Sequence, residues 1–150
     1  MRIGVDVGIA GAVAFLNDDD SFIRVIDMPV MAGTGKRQQV NAAELAREVK
    51  HEGGTAYVER VSAMPKQGVS SMFSFGTSYG IVLGVLAALQ IPVVLVTPQS
   101  WKKRAGLAGK EKDCARTLAQ QLYPQAALGR KKDIGRADSL LIALYGGIDK

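Results

Sequence analysis

Along the chain, short apolar runs alternate with polar or glycine-bearing breaks, and the period of each run says what it forms. "MRIGVDVG" and "AGAVAFLN" are two runs of strand length joined by a Gly-containing turn. "NDDD" at 17–20 is a polar turn, and "FIRVIDMP" is a third strand that stops at Pro29. Three strands in close succession predict an antiparallel meander. The stretch "MAGTGKRQQV" is Gly-rich and basic and reads as a mobile surface loop. "NAAELAREVKHE" opens with a capping-box pattern, Asn41 to Glu44, and continues as an amphipathic helix.

The strand "TAYVER" follows a Gly-Gly pair and leads into a second glycine-bearing loop around Pro65 to Gly68. A long helix is predicted from about Ser70 to Leu89, then the strand "IPVVLVTP". The last third reads as helical in "GKEKDCARTLAQQLY" and "GRADSLLIALYGG", with a loop through Pro124 to Ile134 between them. A meander followed by alternating strands and helices predicts an α/β domain with a five-stranded mixed sheet and helices on both faces. At 150 residues the expectation is one domain, with no internal repeat and no low-complexity tract.

Composition narrows the partners only a little. Apolar residues make up 47% of the chain and charged residues 22%, ordinary for a soluble protein, and the net charge of +5 favours an anionic partner without choosing among them. Cys114 is the only cysteine and His51 the only histidine, so an intrachain disulfide and a Cys/His metal cluster are both excluded. The first residues reach Asp6 before any signal-type apolar region forms. The longest apolar run, "IVLGVLAALQIPVVLVTP", is broken by Gln90 and Pro92 and reads as a helix followed by a strand rather than a membrane span. The expectation is a soluble, cytoplasmic protein without a membrane partner.

Three acids sit where solvation explains them poorly. Asp6 interrupts a β-run between Val5 and Val7, where an unpaired acid is costly. Glu59 ends the "TAYVER" strand, and a parallel pairing of the two strands would bring both acids to one edge of the sheet. In "GRADSLLIALYGG", Leu141, Ile142 and Tyr145 follow Asp138 at i+3, i+4 and i+7, which puts Asp138 at the top of a buried stripe. Each acid taken alone reads equally well as structural, Asp138 as a helix-dipole partner. Taken together they suit hard divalent ions such as Mg²⁺, which want oxygen ligands and leave room for phosphates. Two such ions about 3.5–4 Å apart can activate water on one side and stabilise the leaving oxygen on the other.

"VDVGIAGAVAF", "YVERVSAMPKQGVSSMFSFGTSYG" and "RKKDIGRADSLLIALYG" together resemble the RuvC family of Holliday junction resolvases, particularly its phage-type members, in order along nearly the whole chain. The resemblance implies a ribonuclease H-like fold, a homodimer, and Mg²⁺- or Mn²⁺-dependent cleavage of four-way DNA junctions. It places the family's catalytic, metal-binding acids on Asp6, Glu59 and Asp138. Members of the family carry an Asp or His three or four residues before the last-helix acid, where this chain has Gly135 and Ile134. Asp133, five residues back, is the nearby candidate for the fourth ligand. On a regular helix that spacing turns it away from Asp138, a rule that lapses if Asp133 precedes the helix. Val7 stands where the family has proline, which alters only the turn.

Three basic clusters follow: Lys102, Lys103 and Arg104; Lys110 and Lys112; Arg130, Lys131 and Lys132. A charge run is usually a solvated face, but the third lies next to the acid-bearing helix and suits a phosphate backbone. Either Lys102 or Lys103 would serve as the lysine that the family holds near the scissile phosphate. Trp101 reads as a packing anchor. Gly76, Gly80 and Gly84, at four-residue intervals, give the long helix a flat face, apposed either to the sheet or to a symmetry mate. The family's junction-wedging aromatic falls on Ser62, Ala63 and Met64, leaving Met64, or Phe73 further on, as the wedge. Three rivals stand beside this reading. An actin-like or sugar-kinase ATPase shares the "DVGIAGAVAF" turn but needs two such domains. A catalytically inert branched-DNA-binding module, or a same-fold nuclease acting on RNA or other branched DNA, is excluded by nothing in the sequence.

Overall fold

The computed structural model describes residues 1–50 and 53–147; the predicted end of the first helix at His51 and Glu52 lies outside the described residues. Strands β1 (Arg2–Asp6), β2 (Ala12–Leu16) and β3 (Phe22–Asp27) form the antiparallel meander. Strand β6 (Thr55–Glu59) pairs parallel with β1, and β7 (Val93–Val96) pairs parallel with β6. The result is the five-stranded mixed sheet that the pattern predicts, in the order β3-β2-β1-β6-β7.

Two segments differ from the expectation. "MAGTGKRQQV" is not a loop: β4 (Val30–Ala32) and β5 (Gln38–Val40) pair into a separate hairpin, with Gly35 at φ 65° in its tip. Strands of three residues are too short to show a period of two, and backbone bonds such as Gly33 N–H to the Arg37 carbonyl (2.8 Å) hold the tip. The stretch after β7 carries a further helix, α3 (Pro98–Arg104), which proline starts and Thr97 caps by accepting from the Ser100 N–H at 3.2 Å.

The remaining helices are α1 (Ala42–Val49), α2 (Val69–Ala88), α4 (Lys112–Leu122) and α5 (Ile134–Tyr145). Between α4 and α5 the expected loop contains two short 3₁₀ turns. Half of the predicted capping box forms: Asn41 Oδ1 accepts from Glu44 N–H at 3.1 Å, while the Asn41 N–H is used by the Pro29 carbonyl. Helices α1 and α2 cover one face of the sheet, over Ile3, Val5, Val13, Phe15, Ala56 and Val58. On the other face α3, α4 and α5 bury Ala14, Leu16, Val96 and Trp101.

That division of the core decides where the acids point. Side chains alternate along a strand, so with Val5 and Val58 facing α1 and α2, their successors Asp6 and Glu59 face α3, α4 and α5. Val5 and Val58 are register partners, which puts Asp6 and Glu59 level at the same edge of the sheet. Gly4 allows α5 to lie directly on β1, since a Cβ there would collide with the Ser139 carbonyl and the Ala143 backbone. Helix α2 packs by Ser78, Val82 and Leu86, spaced one turn apart. Gly76, Gly80 and Gly84 lie on the opposite side and meet nothing among the described residues, so of the two appositions open to this glycine face, the one to the sheet does not occur. By length and composition alone α2 is apolar enough to cross a membrane, with a mean hydropathy of 1.4.

Candidate active site

Asp6 leaves the end of β1 and Asp138 the first half of α5, and both line one cleft of about 520 Å³. The turn after β1 forms the cleft's near wall. Gly8 there adopts φ +116°, and a Cβ on it would press against the Phe75 ring at 3.1 Å. Lys102, Lys110, Lys112, Lys131 and Lys132 line the rest of the rim.

The electrostatics of the acids follow from that placement. Burial pushes the Asp6 carboxyl well above its ordinary range, and the charges of Asp138 and Glu59 push it further, against a smaller opposing pull from Lys102. Asp138 is pushed up to about 7, first by burial and then by Glu59, while Lys102 and Lys112 pull it down. Glu59 therefore acts electrostatically on both aspartates, though its own side chain lines a neighbouring pocket with Arg60, Ser62, Met64 and Thr97. Phe75 lines both pockets and stands between them. Glu59 Oε2 accepts a hydrogen bond from Trp101 Nε1–H at 2.8 Å.

The structure does not bring Asp133 to this cluster. It precedes α5, as the exception to the spacing rule required, but its buried carboxylate turns back onto Arg130. It accepts from the Arg130 backbone N–H at 2.8 Å and from Nη2 at 2.7 Å, and these bonds hold its carboxyl below the ordinary range. Nor can residue 135 supply a fourth acid, because a Cβ on Gly135 would collide with the Ala10 carbonyl of the β1–β2 turn. Ile134 occupies the cleft wall instead. Of the two candidate lysines, Lys102 lines both the acid cleft and a second depression with Pro98, Gln99, Ala108 and Gly109, while Lys103 lines that second depression and not the cleft. Arg130 is committed to Asp133. Met64 lies beside Glu59, and Phe73 lies at a groove between α2 and the β4–β5 hairpin, both exposed.

The donor set fits a hard divalent cation: carboxylate oxygens converge on one cleft and repel one another. Among the described residues no three Asp, Glu, His or Cys side chains group closely enough to enclose an ion. An open site of that kind suits Mg²⁺, which commonly takes one or two carboxylates and completes its shell with water and phosphate. Two positions went unread in the sequence. Gly4 carried the signal of a glycine inside a strand, which marks close backbone approach. The second role of Trp101, as the donor to Glu59, had no signal of its own.

No family model matches the chain. In three dimensions it is similar to RuvC of Thermus thermophilus, with a TM-score of 0.61, and to T. thermophilus RuvC in complex with a Holliday junction substrate, with 0.66. Both matches cover 95% of this chain and 90% of the other, at 17% identity, and they define the fold as ribonuclease H-like. In sequence the chain is 30% identical to the chloroplastic Holliday junction resolvase MOC1 of Chlamydomonas reinhardtii, over 81% of this chain and 17% of that protein's length. The RuvC resemblance carried by the motifs is thus met in fold by RuvC itself and in sequence by a junction resolvase.

Proposed function

We propose that this protein is a divalent-metal-dependent endonuclease that resolves four-way DNA junctions by paired, symmetric nicks. The observation that carries the reading is the charge-frustrated pair Asp6 and Asp138 at the floor of a lysine-rimmed cleft, on the RuvC fold. Asp6 and Asp138 would hold Mg²⁺ or Mn²⁺, with Glu59 completing the charge. An ion held there would supply an activated water and a counter-charge for the leaving oxygen, with no covalent intermediate. Lys102, on the wall of the acid cleft, would neutralise the scissile phosphate, and Lys110, Lys112, Lys131 and Lys132 around it would grip the flanking backbone without reading sequence. Met64, exposed beside Glu59, and Phe73, exposed on α2, are the apolar side chains that would serve as a wedge at the branch point.

Two opposed strands require two sites, which a C₂ dimer supplies. The outward face of α2 suits that role: Val69 and Phe73, 87% and 79% exposed, are followed at helical spacing by Gly76, Gly80, Gly84 and Ala87. A bilayer would also accept an apolar helix of this length, but the opposite stripe of α2 is packed in the core and β7 follows it directly in the sheet.

One observation favours the inert-module reading: Gly135 excludes the family's fourth acid sterically. Cleavage of labelled four-way, three-way and linear duplex DNA, with Mg²⁺, Mn²⁺ or chelator, separates the two. Paired nicks confined to the four-way junction, lost with chelator and in Asp6→Asn, are the expected result. Tight junction binding with no cutting under either metal would establish the inert module.

A further inference from the structure

Trp101 is the chain's only tryptophan and is wholly buried. Packing against Val96, Leu107, α4 and α5 accounts for its ring. It does not account for the choice of an indole, whose N–H left unsatisfied in that interior would cost about 1–3 kcal/mol. The N–H instead donates to Glu59 Oε2, and Glu59 Oε1 has no hydrogen-bond partner among the described residues. One carboxylate oxygen is thereby fixed and the other left available.

The fold produces this contact by register. Glu59 is the register partner of Val96, and the next N–H along, that of Arg60, bonds to the Val96 carbonyl at 2.8 Å. Helix α3 starts two residues later, so its first turn delivers Trp101 directly to the end of β6. The face of the same indole meets Lys102, whose Nζ lies 5.3 Å from the ring centroid, within cation–π range. Lys102 lines the Asp6–Asp138 cleft and holds down both acids.

We propose that Trp101 is a positioning residue of the site: its N–H sets the direction of the Glu59 carboxylate and its ring steadies Lys102, so one buried side chain fixes an acid and a cation relative to each other. The consequence for cleavage rests on the nuclease reading; the geometry does not. Such supporting contacts to metal-site groups are commonly worth about 10–100-fold in metal affinity or activity.

As the chain's only tryptophan, Trp101 gives one indole N–H resonance in a ¹H–¹⁵N spectrum, which makes the test direct. Without DNA, both Glu59→Ala and addition of Mg²⁺ to the wild type should move that resonance, and Mg²⁺ should not move it in Glu59→Ala. Trp101→Phe should then lower kcat about 10–100-fold with KM for the junction unchanged, and Trp101→His, which keeps a ring N–H, should recover part of it. An indole resonance indifferent to Glu59→Ala would overturn the proposal even if Trp101→Phe does not fold. So would a Trp101→Phe enzyme with wild-type kcat. If the wild type cuts no DNA, the nuclease reading fails and the resonance still decides the role of Trp101.

Discussion

Asp133 and Asp138 are five residues apart, yet they belong to opposite electrostatic regions of the molecule. Asp133 is surrounded by Arg130, and Asp27 on β3 is gripped in the same way by the Arg136 fork, at 2.7 and 2.9 Å. These contacts hold both carboxyls below their ordinary range. Asp138 and Asp6 have no such fork; burial and their fellow acids push them up, and only lysines at the cleft rim oppose this. A bidentate arginine balances an acid on the spot and makes it part of the scaffold. An acid left unbalanced weakens the fold, and such strain persists where a ligand relieves it. Two pairs of aspartates, one balanced and one frustrated, thus separate structure from site more sharply than burial does.

The difference is broken most severely by removing a frustrated acid. Asp6→Asn and Asp138→Asn should each reduce junction cleavage at least about 10²–10³-fold in single-turnover assays while leaving junction affinity intact. Without metal, each should also melt at the same temperature as the wild type or higher, because a buried repulsion has gone. Asp133→Asn should do the reverse, lowering stability by about 1–3 kcal/mol in urea unfolding while cleavage survives. Lys102→Met tests the rim. Cleavage should fall, and the slope of log K against log salt for junction binding should drop by about one.

Acidity sharpens the contrast because the two pairs have opposite signs. Asp133 and Asp27 have folded-state pKa values below the unfolded reference of about 3.9, so their stabilising contribution is full above that pH and lost as pH falls through the folded values. Asp138, at about 7 in the fold, binds its proton more tightly than the unfolded chain does. The metal-free protein should therefore gain stability as pH falls from about 7 towards 4, then lose it below. In thermal melts, Asp138→Asn should flatten the upper limb and Asp133→Asn the lower one.

Much of this was legible in the sequence because it is written in periods. The meander, the α2 and α5 helices, the shared cleft of Asp6 and Asp138 and the level strand end of Glu59 follow from runs long enough to show a period of two or of 3.6, and from one parallel pairing. The β4–β5 hairpin was not legible, because its three-residue strands are held by backbone bonds among turn-forming residues. Asp133 was ambiguous for a different reason. Whether an acid faces a cleft or an arginine is a matter of rotamer and helix start, and in "GRKKDIGRAD" both partners lie within reach. The empty fourth position had a cause that only the fold reveals, the seating of Gly135 on the β1–β2 turn.

Thermal unfolding of the DNA-free protein with and without Mg²⁺ tests the division of the acids most directly. Binding to the native state stabilises by about 2.7 kcal/mol at a free concentration of a hundred times Kd. Wild type and Asp133→Asn should both rise in Tm with Mg²⁺, and Asp6→Asn and Asp138→Asn should not. A Mg²⁺-dependent rise that survives in Asp6→Asn and Asp138→Asn but disappears in Asp133→Asn would contradict the assignment and move the cation to the other pair.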